Sequence, residues 1–343
     1  MKTTNIVLMG YGRVGKAFVR LIQDKQDDCQ RRYGLRLHLR AVFSRRGGHF
    51  FPKHREGGNL LADLASYSHP EKNIFWTPDL SLTDALKSFR PGVWIDCTPS
   101  NLKDGEPALG YAHQALETGW HVVTANKGPL VVDFTGLQEK ARAHKRSIGM
   151  SGAAAAALPT VDVALGALAG TEIFGFEGIL NGTANYILTR MGQGMGYAEA
   201  LREAQHEGIA EPDPSQDVEG WDTAAKVLII ANAILHTAYT LADIRVEGIS
   251  QLRPGFLLEA KKTGRSIKLL GKLAQQPSGP RLEVKMAQLD PSHPLFGVDG
   301  ARKGISFFTD TMDSVTVTGG KSDPRGAAAA ILKDVINIGR GRV

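Results

Sequence analysis

Short apolar runs, each closed by a glycine or a polar turn, organise the first half of the chain. Asn5-Ile6-Val7-Leu8-Met9 reads as a buried strand, and Lys16–Gln23 has the spacing of an amphipathic helix. Leu35–Ser44, Val93–Cys97 and His121–Thr124 read as further strands, and Leu82–Phe89 as a short helix. This alternation predicts an α/β domain with a parallel sheet. Between 47 and 90, Gly-Gly, His-Pro and Thr-Pro breaks leave little other pattern. Beyond Met150 the pattern changes. Val246–Ile249, Leu282–Gln288 and Val315–Thr318 alternate like strands of an open sheet, while WDTAAKVLIIANAI, starting at Trp221, reads as a largely buried helix. A last helix is expected from about Gly326 to Ile338. The expected domains are 1–149, 150–318, and a segment 319–343 returning to the first.

Between the first strand and its helix lies Gly10-Tyr11-Gly12-Arg13-Val14-Gly15. A G-x-G-x-x-G string alone is weak, but between a strand and a helix each glycine has a physical task. The first allows the turn, the second lets the backbone approach a pyrophosphate, and the third lets helix and strand pack closely. The helix N–H groups then face the anion. Gly10, Gly12, Arg13, Val14 and Gly15 are therefore expected to hold a dinucleotide in a Rossmann-type domain. Arg45-Arg46 follow the second strand, where an NAD-selective domain carries an acid for the ribose 2′-hydroxyl. Two guanidiniums there suit a 2′-phosphate, so NADP is the expected cofactor, with NAD the alternative.

Residues 204–226, AQHEGIAEPDPSQDVEGWDTAAK, carry the acid–base chemistry. Pro212 and Pro214 prevent a helix from running through, because each lacks an N–H and restricts the residue before it. Asp222 and Lys226 then fall four apart on one face of the buried helix, near its start. Such a pair on a solvated helix contributes only ~0.3–0.5 kcal/mol. The helix here is too apolar to be a surface helix, however, and Glu211, Asp213 and Asp217 crowd the loop before it. A lysine at the mouth of a buried helix, held by a carboxylate one turn back, is a candidate proton donor to a substrate oxygen.

The order Ala204, Gly208-Ile209-Ala210, Asp213-Pro214, Asp217-Val218, Gly220, Asp222, Lys226 resembles the signature of homoserine dehydrogenases, as do DCTPSN (96–101) and TANKGPL (124–130). The resemblance covers nearly the whole chain and implies a Rossmann-type domain followed by an α+β catalytic and dimerisation domain with an open sheet. It implies NAD(P)H-dependent reduction of L-aspartate 4-semialdehyde to L-homoserine, reversibly, in threonine and methionine biosynthesis. Lys226 would donate the proton, with Asp222, Glu211 and Asp217 orienting substrate and lysine. Thr98 and Lys127 would face the nicotinamide and the substrate, Lys127 polarising the carbonyl or sharing the proton transfer. Gly182 and Thr183 would meet the substrate's amino-acid end; a glycine turn with helix-capping Asn181 and Thr183 accounts for the same residues. A homodimer or larger homo-oligomer is expected.

Two segments depart from the family pattern. Ser151 stands where members often carry the glutamate of an alkali-metal site, followed by five alanines and Leu158-Pro159. The carbonyls of Ala154, Ala156 and Leu158 lack that anionic companion, and no metal is expected. Gly319-Gly320-Lys321-Ser322-Asp323-Pro324 replaces a glycine-rich, threonine-containing turn beside the cofactor. The chain is read as a short form without a regulatory domain.

Composition narrows the partners. The net charge of +6 concentrates only between Arg31 and Arg55, without stacking aromatics or a recognition helix, so nucleic acid is not expected. Two cysteines, Cys29 and Cys97, argue against a disulfide framework. With no apolar run long enough for a membrane and no leader pattern, the expected location is the cytoplasm. The rival readings are another NAD(P)-dependent amino-acid dehydrogenase, which does not need the full 204–226 order, and a non-catalytic NAD(P)-binding sensor, which needs no acid–base pair.

Overall fold

The structure, a computed structural model, describes residues 1–44, 47–50, 64, 76–250, 252, 255–320 and 322–342. Arg45 and Arg46 lie outside the described residues. The chain divides into two compact units, one of 1–156 with 324–343 and one of 157–323.

In the first unit a seven-stranded sheet has the order β4-β3-β2-β1-β5-β6-β7. The strands are β1 (Lys2–Met9), β2 (Leu35–Ser44), β3 (Gly47–Phe50), β4 (Trp76–Thr77), β5 (Val93–Asp96), β6 (His121–Thr124) and β7 (Ile148–Gly149). β1 pairs in parallel with β2 on one side and β5 on the other, so the chain changes direction across the sheet at β1. β6 and β7 continue the parallel part, while β3 and β4 add an antiparallel edge. Helix α1 (Arg13–Tyr33) is longer than its apolar stretch predicts. Phe18, Val19, Ile22 and Cys29 keep one face buried while the polar run 23–32 remains helical on the other side. Gly34, at φ 67°, ends the helix in the left-handed conformation that favours glycine. The C-terminal helix, Pro324–Gly339, shares this core through Ala328, Ile331, Val335 and Ile338. Helices α2 (Leu82–Ser88), α3 (Ala108–Glu117), α4 (Gly128–Val132), α5 (Phe134–Ala143) and α6 (Ser151–Ala154) complete the unit.

The second unit is built on a six-stranded open sheet in the order β13-β12-β8-β10-β11-β9. Its strands are β8 (Ile173–Ile179), β9 (Ile244–Val246), β10 (Ser266–Gln276), β11 (Gly279–Leu289), β12 (Lys303–Thr309) and β13 (Ser314–Gly319). All neighbours are antiparallel except β11 and β9. The helices are α7 (Gly182–Gly192), α8 (Tyr197–His206), α9 (Ser215–Val218), α10 (Trp221–Leu235) and α11 (Phe256–Lys262). Strands β8, β10 and β12 give no clear alternation in sequence because glycines interrupt them. Gly271 of β10 shows why a glycine stands there: a Cβ would come within 2.4 Å of Val227 and 2.9 Å of Thr223 on α10. The small residue lets the helix lie directly on the sheet. The strand expected over Val246–Ile249 sits earlier, at Ile244–Val246. Gly248 instead lies against the Glu219 backbone, too close for any side chain, and this bends the chain out of the sheet. Among the described residues no helix is long and apolar enough to cross a membrane.

Candidate active site

The glycine turn closes the carboxyl end of β1, at the point where the strand order reverses, which is where open α/β sheets bind ligands. Gly10 has φ +94°, and a Cβ there would lie 2.6 Å from the carbonyl carbon of Cys97. On Gly15 a Cβ would lie 2.1 Å from the Gly10 oxygen, so turn and helix pack with no side chain between them. Gly12 differs. Its φ is an ordinary −84°, and a Cβ on it would meet nothing within 4 Å. Among the described residues no neighbouring atom requires glycine at this position, which leaves the space in front of it open. Gly12 also caps α1 without any side-chain hydrogen bond to the first-turn N–H groups, which stay available to an anion. The turn therefore fits the pyrophosphate of a dinucleotide, with Arg13 exposed and Val14 half-buried beside it.

Two further loops end at the same edge. Thr98 donates to Asp96 Oδ1 from its backbone N (2.9 Å) and its hydroxyl (2.6 Å). Asn126 donates to Thr98 Oγ1 (3.0 Å) and to the Pro99 carbonyl (3.3 Å), joining the loop after β6 to the loop after β5. The Lys127 amide donates to Ser100 Oγ at 2.9 Å, and its side chain is half-buried. Thr98 and Lys127 are thus fixed through Asp96 and Asn126, two buried residues that sequence reasoning did not single out. Their positions inside strand-end turns gave no separate signal.

Burial raises Asp96 from 3.8 to about 6, against the hydrogen bonds from Thr98 that favour its charge. An acid raised on folding binds its proton more tightly folded than unfolded. Its contribution to stability is full below about pH 4 and is lost as pH rises through 6. Asp96→Asn keeps an acceptor for Thr98 and removes the charge. Relative to the parent, its stability against unfolding is expected to be about 3 kcal/mol higher at pH 8 than at pH 4. Denaturant unfolding across that range checks this; a difference independent of pH would show that Asp96 ionises normally.

The second unit gathers a different cluster. β8 ends at Ile179, and Asn181 caps α7 by accepting from the Ala184 amide at 2.8 Å. The Asn181 amide donates to Asp217 Oδ1 (2.6 Å) and Asp222 Oδ2 (2.7 Å). Lys226 donates to Asp222 Oδ2 at 2.5 Å and to the Leu180 carbonyl at 2.9 Å, with 14% of each ion-pair side chain exposed. Gly220, at φ +90°, makes the sharp entry into α10 that brings Asp222 beside Asn181. Burial, and then the Asp222 carboxylate, raise Asp217 above the usual carboxylate range. Asp222 and Lys226 thus meet as their spacing predicts, and Asp217 joins them. Glu211 is exposed and lies outside these hydrogen bonds, and Asp213 turns back to hold the Ser215 amide. Thr183 donates to the Ile209 carbonyl, tying α7 to the signature loop. Gly182 has a packing reason of its own, since a Cβ would lie 2.8 Å from the Ala301 oxygen and 2.6 Å from Ser322 Oγ.

Lys303, the first residue of β12, also belongs to this electrostatic setting. It is 2% exposed, and its amino group is lowered to about 7 by burial and then by the charge of Lys226, partly offset by Asp222 and Asp323. In ARKGISFF it reads like any surface lysine, and sequence reasoning passed over it.

Ser151 is held in the first unit, donating to Asp334 Oδ1 (2.8 Å) and accepting from Lys333 (2.7 Å). Among the described residues no three His, Cys, Asp or Glu side chains are grouped as metal ligands. No step below uses a metal.

Comparison with known proteins bears directly on this pairing of a dinucleotide turn with a buried acid–base cluster. Residues 10–150 match the family model of the homoserine dehydrogenase NAD-binding domain, and 159–336 that of homoserine dehydrogenase itself. The chain is 36% identical to the homoserine dehydrogenase of Methanocaldococcus jannaschii, over 97% of this chain and 98% of that one. It is 34% identical to the NAD(+)-dependent homoserine dehydrogenase of Pseudomonas canavaninivorans, over 98% and 97%. The crystal structure of a homoserine dehydrogenase from Thiobacillus denitrificans superposes with a TM-score of 0.83 at 26% identity, covering 99% of this chain and 74% of that one. A glycine turn suited to NAD(P) and a lysine held by a half-buried aspartate therefore have one common explanation: the chain belongs to the homoserine dehydrogenase family of NAD(P)-dependent oxidoreductases.

Proposed function

We propose that Lys226 is the proton donor and acceptor in the NAD(P)-dependent interconversion of L-aspartate 4-semialdehyde and L-homoserine. The observation that carries this is the Lys226–Asp222 contact, largely shielded from water and tied through Asn181 to a third half-buried group, Asp217. Gly10, Gly12 and Gly15 would hold the reduced nicotinamide cofactor, whose chemistry would be the supply of a hydride to the aldehyde carbon. Lys226 gives the aldehyde oxygen its proton, which yields the alcohol, and regains one from solvent before the next turnover. Asp222 and the Leu180 carbonyl direct two of the ammonium hydrogens and leave the third for the substrate oxygen. In the reverse direction Lys226 takes the hydroxyl proton as hydride leaves the carbon. Positioning of acid and carbonyl contributes more than acidity alone.

Lys127 and Thr98, fixed by Ser100 and Asp96, are assigned to the nicotinamide end, with Lys127 polarising the carbonyl. Gly182, Thr183 and the exposed Glu211 are assigned to the amino-acid end of the substrate. Arg45-Arg46 after β2 support NADP as the preferred cofactor, while the name of the Pseudomonas relative supports NAD(+). The open sheet of the second unit is assigned to a homodimer interface, and the protein to the cytoplasm.

The test is nicotinamide absorbance with purified protein and L-homoserine at alkaline pH, with NADP and NAD in separate runs. Reduction that needs homoserine and fails with serine is expected, faster with NADP, and slowed with NADP by Arg45→Ala/Arg46→Ala. A faster rate with NAD would reverse the cofactor assignment. Cofactor binding without reduction in either direction would favour the sensor.

A further inference from the structure

Asn181, at the turn from β8 into α7, uses every polar atom of its side chain. Its Oδ1 accepts from the Ala184 amide at 2.8 Å and caps α7. Its Nδ2 carries two hydrogens and donates to Asp217 Oδ1 at 2.6 Å and to Asp222 Oδ2 at 2.7 Å. The residue is 6% exposed. Its backbone is fixed as well, because the Asn181 carbonyl accepts from the Asn185 amide at 3.3 Å. Asn185 is anchored in turn, donating from its side chain to the carbonyls of Val298 and Gly300 at 2.9 Å each. Capping alone does not call for asparagine here. Serine, threonine and aspartate offer the same acceptor, and among these capping residues asparagine alone adds two donors to it.

The two donors go to the acid–base cluster. Asp222 Oδ2 is a shared acceptor, taking one N–H from Asn181 and one from Lys226. The Leu180 carbonyl takes another from Lys226 at 2.9 Å. Two consecutive residues at the end of β8 therefore grip both halves of the ion pair, Leu180 the amine and Asn181 the carboxylate. Asp217 is held by the same nitrogen, so one amide serves two carboxylates that would otherwise repel each other. We propose that Asn181 is a positioning residue for the reaction: its amide fixes the Asp222 carboxylate, and thereby the direction in which Lys226 presents its remaining N–H to the substrate oxygen. Asn181 acts through Asp222 and not on the substrate. Without the amide the carboxylate is free to turn away from Asp217, and the amine bound to it turns as well.

This inference rests on the proton-transfer role of Lys226, and the experiment separates the two. Asn181→Ser keeps a capping oxygen and removes the amide. Asn181→Asp keeps the shape and the cap but puts an acceptor where both donors were. For each, kcat for homoserine oxidation is measured per cofactor-binding site, so that a loss of folded protein does not count. A fall of about tenfold to a hundredfold is expected in both variants, the scale on which misplacing a reacting group by about an ångström acts. Cofactor affinity should be unchanged. The primary deuterium isotope effect, with L-homoserine deuterated at its hydroxyl-bearing carbon, should rise, because the chemical step becomes slow relative to product release. A residue that only caps α7 would change the melting temperature while leaving per-site kcat and the isotope effect in place. Per-site kcat at the parent value in Asn181→Ser therefore overturns the proposal, and so does a lower kcat with an unchanged isotope effect. Should neither variant fold, NMR of the parent protein carrying ¹⁵N-labelled asparagine decides. Slow solvent exchange of both Asn181 side-chain hydrogens is expected, and exchange as fast as in an exposed asparagine overturns the proposal. Substantial turnover by Lys226→Ala would instead remove the reading on which it rests, whereas an inactive Lys226→Ala beside a fully active Asn181→Ser removes this proposal alone.

Discussion

Lys226→Ala is expected to lower kcat by two to four orders of magnitude while cofactor binding is unchanged. General acid catalysis by a positioned group typically contributes 10²–10⁴-fold. Alanine removes an amine placed to deliver a proton and held by both a carboxylate and a carbonyl. Asp222 would then be a half-buried carboxylate deprived of the Lys226 ammonium, so a stability loss of about 3 kcal/mol accompanies the change. Two measurements keep these effects apart. Thermal unfolding reports the lost ion pair, and titration of reduced nicotinamide fluorescence reports the glycine turn, which belongs to the other compact unit. Lys226→Arg supplies a further contrast. It retains charge and ion pairing but surrenders a proton far less readily, so stability should recover and turnover should not. Near-normal turnover by the alanine variant would exclude Lys226 as the proton donor and direct attention to Lys127.

The second large effect is expected at the glycine turn, where neighbouring glycines should respond differently. Gly10→Ala forces an L-residue into φ +94° and drives a methyl group onto the backbone of Cys97 and Thr98. Backbone strain alone costs on the order of 1–3 kcal/mol, and the clash adds to it. Both stability and cofactor affinity should fall. Gly12→Ala meets no atom of the described residues and needs no unusual backbone, so stability should stay within about 0.5 kcal/mol of the parent. On the proposed placement of the pyrophosphate at the α1 N–H groups its methyl group stands in the way, and cofactor affinity is expected to drop at least about tenfold, or 1.4 kcal/mol. Binding titrations with NAD and NADP, alongside unfolding curves for both variants, test the contrast. Unchanged affinity in Gly12→Ala would mean that the anion does not approach there.

The glycine turn and the lysine–aspartate pair were legible in the sequence as local features. The glycine spacing specified a strand–turn–helix unit because the close contact of Gly15 with Gly10 is met within six residues of chain. Asp222 and Lys226 were placed together because a spacing of four residues in a helix makes neighbours whatever the rest of the fold does. The apolar run after them separated a buried helix from a surface one. Locality also explains the errors of extent: the end of α1 is set by Gly34 and by burial of Cys29, and the β9 strand stops early because Gly248 must fit against Glu219.

What only the tertiary structure decided is which distant residues complete each cluster. Asn181 is 36 residues from Asp217 and 41 from Asp222, and its amide links them. The acidic loop reads as one group of carboxylates, yet the fold turns Asp217 inward, leaves Glu211 in solvent and spends Asp213 on a local turn. Lys303 comes under the charges of Lys226 and Asp222 only through the fold, which no spacing along the chain encodes. A charge's chemistry depends on what is within a few ångströms and on how much water is excluded, and both are set by long-range packing. The sequence by itself therefore determined the parts of a dinucleotide-dependent acid–base enzyme, and the tertiary structure decided which charged groups share one desolvated site.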